Sequence, residues 1–235
     1  MMEGNGGQGA ASAPPAYDDL FPDQKSTNIY PDMPEEEKNE KCALDAGSSG
    51  ELLKKVPPGV DGNDLALLLK AIDFAARRHR FQRRKDCEAS PYVNHVIGVA
   101  NILANEANIT NITVLLAAVL HDTVEDTKTT LEEITELFGG QVSAIVSECL
   151  LEKMPTAERR QVEMARASTL SHNAKLVIMA DKLYNLRDAE RSLPFGWTTH
   201  YRKETFNWTK KYIALLKETN DYLEMALDDV INRNS

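Results

Sequence analysis

From residue 64 to the C-terminus, apolar residues return three or four positions apart almost without pause, and no segment alternates apolar and polar residues over a strand's length. The first segment, DLALLLKAIDFAARRHRFQRR, opens behind an Asn63–Asp64 cap signal and runs to a basic end, the charge order a helix favours. NHVIGVANILANEA and ITVLLAAVLHDTVED follow after short connections. TTLEEITELFG opens on the capping pair Thr130 and Glu133 and stops at Gly139–Gly140. QVSAIVSECLLEK, PTAERRQVEMARAS, NAKLVIMADKLYNLRDAER, GWTTHYRKETFNWTKKYIALLKETN and DYLEMALDDVINR complete the series. The pattern predicts an all-α domain over residues 61–235, a bundle of about eight or nine helices without an internal repeat.

Composition separates the first 60 residues from this domain. They hold 7 of the 10 prolines and 7 of the 12 glycines, with 11 acids, 5 lysines and no arginine. Their net charge of -6 leaves only -3 of the chain's -9 for the helical part. Such a segment cannot bury enough apolar surface to offset its ordering entropy, so residues 1–60 are expected to be a disordered acidic tail. Within it PPAY, Pro14 to Tyr17, matches the short proline motif that WW domains bind as a polyproline helix. No signal-peptide pattern and no membrane-length apolar run is present. Cys42, Cys87 and Cys149 lack metal-type spacing and form an odd set, which points to reduced thiols in the cytosol or nucleus. A mildly acidic domain carries no electrostatic footprint for nucleic acid.

Charge matters most where it interrupts an apolar run. VLLAAVL, residues 114–120, leads straight into His121 and Asp122, and Glu125 and Asp126 follow within a turn. On one helix over 112–126, His121 lies above Glu125 and Asp122 above Asp126. An unpaired carboxylate beside a buried face is costly, and a divalent cation would remove that cost. The same grammar recurs twice: His95 opens an apolar helix, and Asp181 follows LVIMA. Alone, His95 reads as a helix cap, Asp181 as the partner of Lys182 or Arg187, and a bare His–Asp pair as chance. Together, two imidazoles and two carboxylates from three helices suit a Mn²⁺- or Fe²⁺-like ion with open water positions better than a closed structural zinc. His79 and His172 read as exposed residues near helix ends, and nothing requires His200 to line a pocket.

The segments FAARRHRFQRRKD, SPYVNHVIGVANIL, VLHDTVEDT, AKLVIMADKLYNLRD, GWTTHY and FNW resemble the small stand-alone RelA/SpoT-homologue hydrolases of the HD superfamily, over residues 64–230. The resemblance implies an HD-domain helical bundle and a metal-dependent hydrolase that converts guanosine 3′,5′-bis(diphosphate), ppGpp, to GDP and pyrophosphate through water activated at the metal. It implies one Mn²⁺ per chain, a site that also admits Fe²⁺ or Zn²⁺, with His95, His121, Asp122 and Asp181 as ligands. It further implies Glu125 and Asp126 as the catalytic pair that orients and deprotonates the water. Arg84 and Lys85 of the RRK stretch, with Tyr184 and Asn185 of KLYN, match its substrate-binding positions.

Departures from that pattern fall outside the metal set. Val96 stands where the family usually has proline, Cys149, Leu150 and Leu151 replace polar residues, and Thr156 replaces a lysine. Tyr201 and Thr205 stand where relatives place an arginine and a tyrosine, with Arg202, Lys203 and Lys153 as nearby cations. These changes leave two competing readings: a phosphatase on another phosphorylated nucleotide, such as the 2′-phosphate of NADPH, and a weakly active nucleotide-binding sensor.

Overall fold

The computed structural model describes residues 64–234, so the reading of residues 1–60 and of the PPAY motif lies outside the described residues. Ten α-helical segments follow one another: α1 Asp64–Arg78, α2 Val93–Asn101, α3 Ile112–Leu120, α4 Thr123–Asp126, α5 Leu131–Phe138, α6 Gly140–Cys149, α7 Thr156–Arg166, α8 His172–Arg191, α9 Thr199–Ile213 and α10 Asp221–Arg233. The single-turn α4 continues the direction of the HD stretch; counted with α3 it leaves nine, within the expected range. Extended structure among the described residues is limited to one bridge between Arg83 and Pro91. No helix among them is long and apolar enough to cross a membrane.

The most apolar helix is also the most central. Every residue of α3 from Val114 to Leu120 is buried, and the helix packs against α1, α2, α6 and α8. Its start is fixed by Asn111, whose side-chain oxygen accepts the Thr113 N–H at 2.9 Å. The cap expected at Thr130 forms, its hydroxyl accepting the Glu133 N–H, and Gly139 (φ 94°) turns the chain between α5 and α6. Val96 is wholly buried, so the residue replacing the family's proline serves the core.

Helices α1, α6 and α9 stop short of the periodicity, α9 at Ile213 where its pattern ran on to Asn220, and α2 changes form. The α1 pattern ran on to Arg84, but the helix stops at Arg78. Residues beyond it fold back: Arg84 N–H donates to Ser90 O (2.8 Å), and Tyr92 N–H to Gln82 O (3.1 Å). His79 is consequently buried, not exposed as its sequence setting suggested, because its ring stacks on Tyr92 with centroids 4.9 Å apart. Helix α2 widens into a π-turn over Ile102–Glu106. There Glu106 accepts both Arg187 nitrogens of α8 at 2.9 Å and the Tyr222 hydroxyl of α10 at 2.5 Å, which joins three elements at one carboxylate.

Helices α2 and α8 approach most closely at Gly98. A Cβ there would lie 2.0 Å from the Tyr184 ring, which also meets His95 edge-on at 4.9 Å. Gly98→Ala is therefore expected to displace Tyr184 and cost about 1–3 kcal/mol, as overpacking does. Urea unfolding reads the loss, and an unchanged midpoint would contradict the close approach.

Candidate metal centre

Three elements bring polar atoms to one point inside this bundle. Helix α2 presents His95 at its third position, the end of α3 presents His121 and Asp122, and the middle of α8 presents Asp181. His95 Nε2 lies 3.4 Å from Asp122 Oδ2 and 3.2 Å from Asp181 Oδ1. His121 Nε2 lies 3.1 Å and 3.8 Å from the same two oxygens. His95, His121 and Asp122 offer ligand atoms all within 4.8 Å of one another.

Two adjacent residues can serve one centre because the helix does not run straight through them. It ends at Leu120, and Asp122 (φ -90°, ψ -9°) precedes the single turn of α4. The buried Thr123 hydroxyl donates to Leu120 O at 2.6 Å, a local bond that competes with the helical ladder. This corrects the continuous helix expected over residues 112–126. The one-turn spacing survives, since Asp126 N–H still donates to Asp122 O at 2.9 Å.

The imidazoles indicate what the centre requires. His121 Nδ1 donates to Ala118 O at 2.8 Å, which turns Nε2, buried and otherwise without a partner, towards two carboxylates. A neutral ring would aim a lone pair at negative oxygens there, so a proton or a cation belongs between them. Burial disfavours the charged ring, yet Asp122 and Asp181 outweigh it and raise the His121 pKa well above its usual value. Burial likewise opposes ionisation of Asp181, but His121, His95 and Lys182 hold it below the ordinary carboxylate range. The donor set of two nitrogens and two oxygens fits a divalent cation, and the backbone bond at Nδ1 is the outer support that histidine ligands commonly have.

Beside this centre opens a cleft whose wall includes Glu125, Arg159, Glu163 and Lys182. Arg159 of α7 clamps both oxygens of Glu125, with Nη2 to Oε2 at 3.1 Å. Asp126 has no such clamp. Burial, reinforced by the Asp122 and Glu125 carboxylates, raises its pKa to about 6.

An HD-domain family model matches residues 71–207. The chain belongs to the HD-domain family. It is 53% identical over 167 residues to the guanosine-3′,5′-bis(diphosphate) 3′-pyrophosphohydrolase MESH1 of Homo sapiens, a match covering 71% of this chain and 93% of that protein. It is 44% identical over 169 residues to the MESH1 of Drosophila melanogaster, covering 72% and 94% respectively. A solved structure described as a metazoan ortholog of SpoT that hydrolyzes ppGpp superimposes with a TM-score of 0.70 at 41% identity, covering 77% of this chain and 98% of that one.

The HD-domain architecture brings the expected residues together unequally. His95, His121, Asp122 and Asp181 converge, with Glu125 and Asp126 one turn away. Asn185 Nδ2 donates to Asp181 Oδ1 at 2.6 Å, so this residue touches the centre itself. Arg84 is anchored to Asn185 Oδ1 (2.7 Å) and Asp188 Oδ2 (2.9 Å), between the rings of Tyr92 and Tyr184. Lys85 is exposed on the adjoining loop. Sequence reasoning missed Arg159 and Tyr92. Arg159 carries no signal beyond a charged helix face, and Tyr92 none beyond its place in SPYVNH. The substituted positions of α9 also gain a partner: Arg160 donates to Thr205 Oγ1 at 3.0 Å and lies over the rings of Tyr201 and Trp208.

Metal uptake by this HD-domain site must expel the proton that the carboxylates hold on His121. Below the raised His121 pKa, affinity for a divalent cation should therefore climb by about tenfold per pH unit as pH rises. Above that pKa the climb should flatten. Calorimetry between pH 6 and 8, in buffers of differing ionisation heat, counts the released proton; a flat profile would contradict the assignment.

Proposed function

We propose that this HD-domain protein hydrolyses ppGpp to GDP and pyrophosphate with one Mn²⁺ held by His95, His121, Asp122 and Asp181. The observation that carries the reading is the buried His121 Nε2, which is otherwise unpartnered and faces Asp122 and Asp181 beside an open cleft. The substrate is taken from the names of the MESH1 relatives, which span nearly their whole length in the match.

When bound, the cation would polarise the phosphate and lower the pKa of water. Glu125, held in place by Arg159, accepts a hydrogen bond from the attacking water and fixes its direction. Asp126, one turn from the metal-facing residues, accepts the proton as the new P–O bond forms. The bond that breaks joins the ribose 3′-oxygen to phosphorus. That oxygen receives the proton and leaves as the hydroxyl of GDP, while the water oxygen departs with pyrophosphate. Lys85, exposed on the loop after α1, is proposed to meet the substrate's phosphates, with Arg84, Tyr184 and Asn185 forming the surface behind it.

One observation favours a second substrate with the same chemistry. Arg160 reaches the α9 surface where Tyr201 and Thr205 replace the family's residues, and a cation there could receive a lone phosphate such as the 2′-phosphate of NADPH.

The test is turnover of ppGpp by the purified chain after chelation and again with Mn²⁺, with products identified. Restored release of pyrophosphate and GDP is the expected result; orthophosphate release from NADPH alone would support the second substrate. Glu125→Gln combined with Asp126→Asn should lower kcat by about 10²–10⁴-fold, the usual worth of positioned acid–base groups. Full activity in that double variant would overturn the mechanism.

A further inference from the structure

Three residues outside the expected site grip both ends of the HDTVED turn. Tyr92 O–H donates to Asp122 Oδ2 at 2.8 Å, the same oxygen that faces both imidazoles. At the turn's far end, Gln82 Nε2 donates to the backbone oxygen of Asp126 at 2.9 Å. Asp126 N–H bonds Asp122 O, which makes the two residues opposite ends of a single turn, each with its own outside partner.

His79 joins the two grips. Its ring, 1% exposed, stacks on Tyr92 at 28° between planes, and its Nδ1 donates to the Gln82 Oε1. That bond also settles the Gln82 amide: the oxygen is taken by histidine, and the nitrogen is left for Asp126. Tyr92 is hemmed in further by His95, edge-on at 5.5 Å, and by the Arg84 guanidinium at 5.7 Å. A hydroxyl whose ring is packed on three sides has little freedom, and a carboxylate bonded to it is held to one orientation. The fold-back that ended α1 early is what delivers His79 and Gln82 to this place.

We infer that Tyr92 is a positioning residue for the metal centre and that Gln82, oriented by His79, is a positioning residue for Asp126. This rests on the metal-dependent reading above. The two roles separate experimentally, because Tyr92 acts on a ligand whereas Gln82 acts only on the turn's catalytic end.

The test titrates Mn²⁺ by electron paramagnetic resonance into the full-length chain and its variants, alongside kcat and KM for ppGpp and the melting temperature of the metal-free protein. Tyr92→Phe, which keeps the ring, should weaken Mn²⁺ binding about 10- to 100-fold, the usual effect of losing an outer-shell partner. Its metal-free melting temperature should stay near that of the parent. Gln82→Leu should leave Mn²⁺ affinity and KM unchanged and lower kcat by about tenfold or more. His79→Phe retains the stack and loses the amide's anchor, so it should follow Gln82→Leu. Parent-like Mn²⁺ affinity in Tyr92→Phe, or parent-like kcat in Gln82→Leu, would overturn the corresponding role while the metal reading stands. A parent that binds no Mn²⁺ would overturn both. If Tyr92→Phe fails to fold, Tyr92→Leu, which also lacks a donor and adds no bulk, carries the same expectation.

Discussion

Two carboxylates turned towards the same pair of imidazoles inside an apolar bundle are the constraint on which the rest of this structure depends. Asp122 and Asp181 come from helices far apart in sequence, and burial works against the charge on each. What reconciles them is a positive counterpart between them, a proton on His121 in the metal-free chain or a cation in its place. The apolar packing of α3 and α8 thus holds together a site that would spread apart without that counterpart. The surrounding bonds, from His121 to Ala118 O and from Asn185 to Asp181, fix the direction in which the imidazole and carboxylate face.

Much of this was legible in the chain because polarity intruded on apolar runs. His121 and Asp122 after VLLAAVL, and Asp181 after LVIMA, announce themselves by the cost of placing them there. Helix type and order were equally readable from periodicity. Helix ends were less so: α1 stops at Arg78 because His79 finds a tyrosine 13 residues later, a contact no local pattern encodes. Arg159 was invisible for a related reason. A basic residue on a polar helix face looks the same in sequence whether it meets solvent or a carboxylate 34 residues away.

The substitutions around the cleft do not touch the centre, and their packing explains why they are tolerated. Leu151 is buried, and Thr205 and Tyr201 enclose the guanidinium of Arg160. A cation is thereby retained on the α9 side, but it comes from α7. The α9 surface and the centre meet at Trp208, whose ring lies beneath both Arg160 and Lys182, the latter paired with Asp181.

The carboxylate of Glu106 gives the C-terminal helix a role at a distance. It binds Arg187 of α8 and Tyr222 of α10 from the π-turn of α2, and α8 carries Asp181 six residues before that arginine. The bundle is in effect laced shut by α10. Without α10 the tyrosine that completes this lacing is missing, so the seating of Asp181 leans on a helix that puts no residue of its own into the cleft.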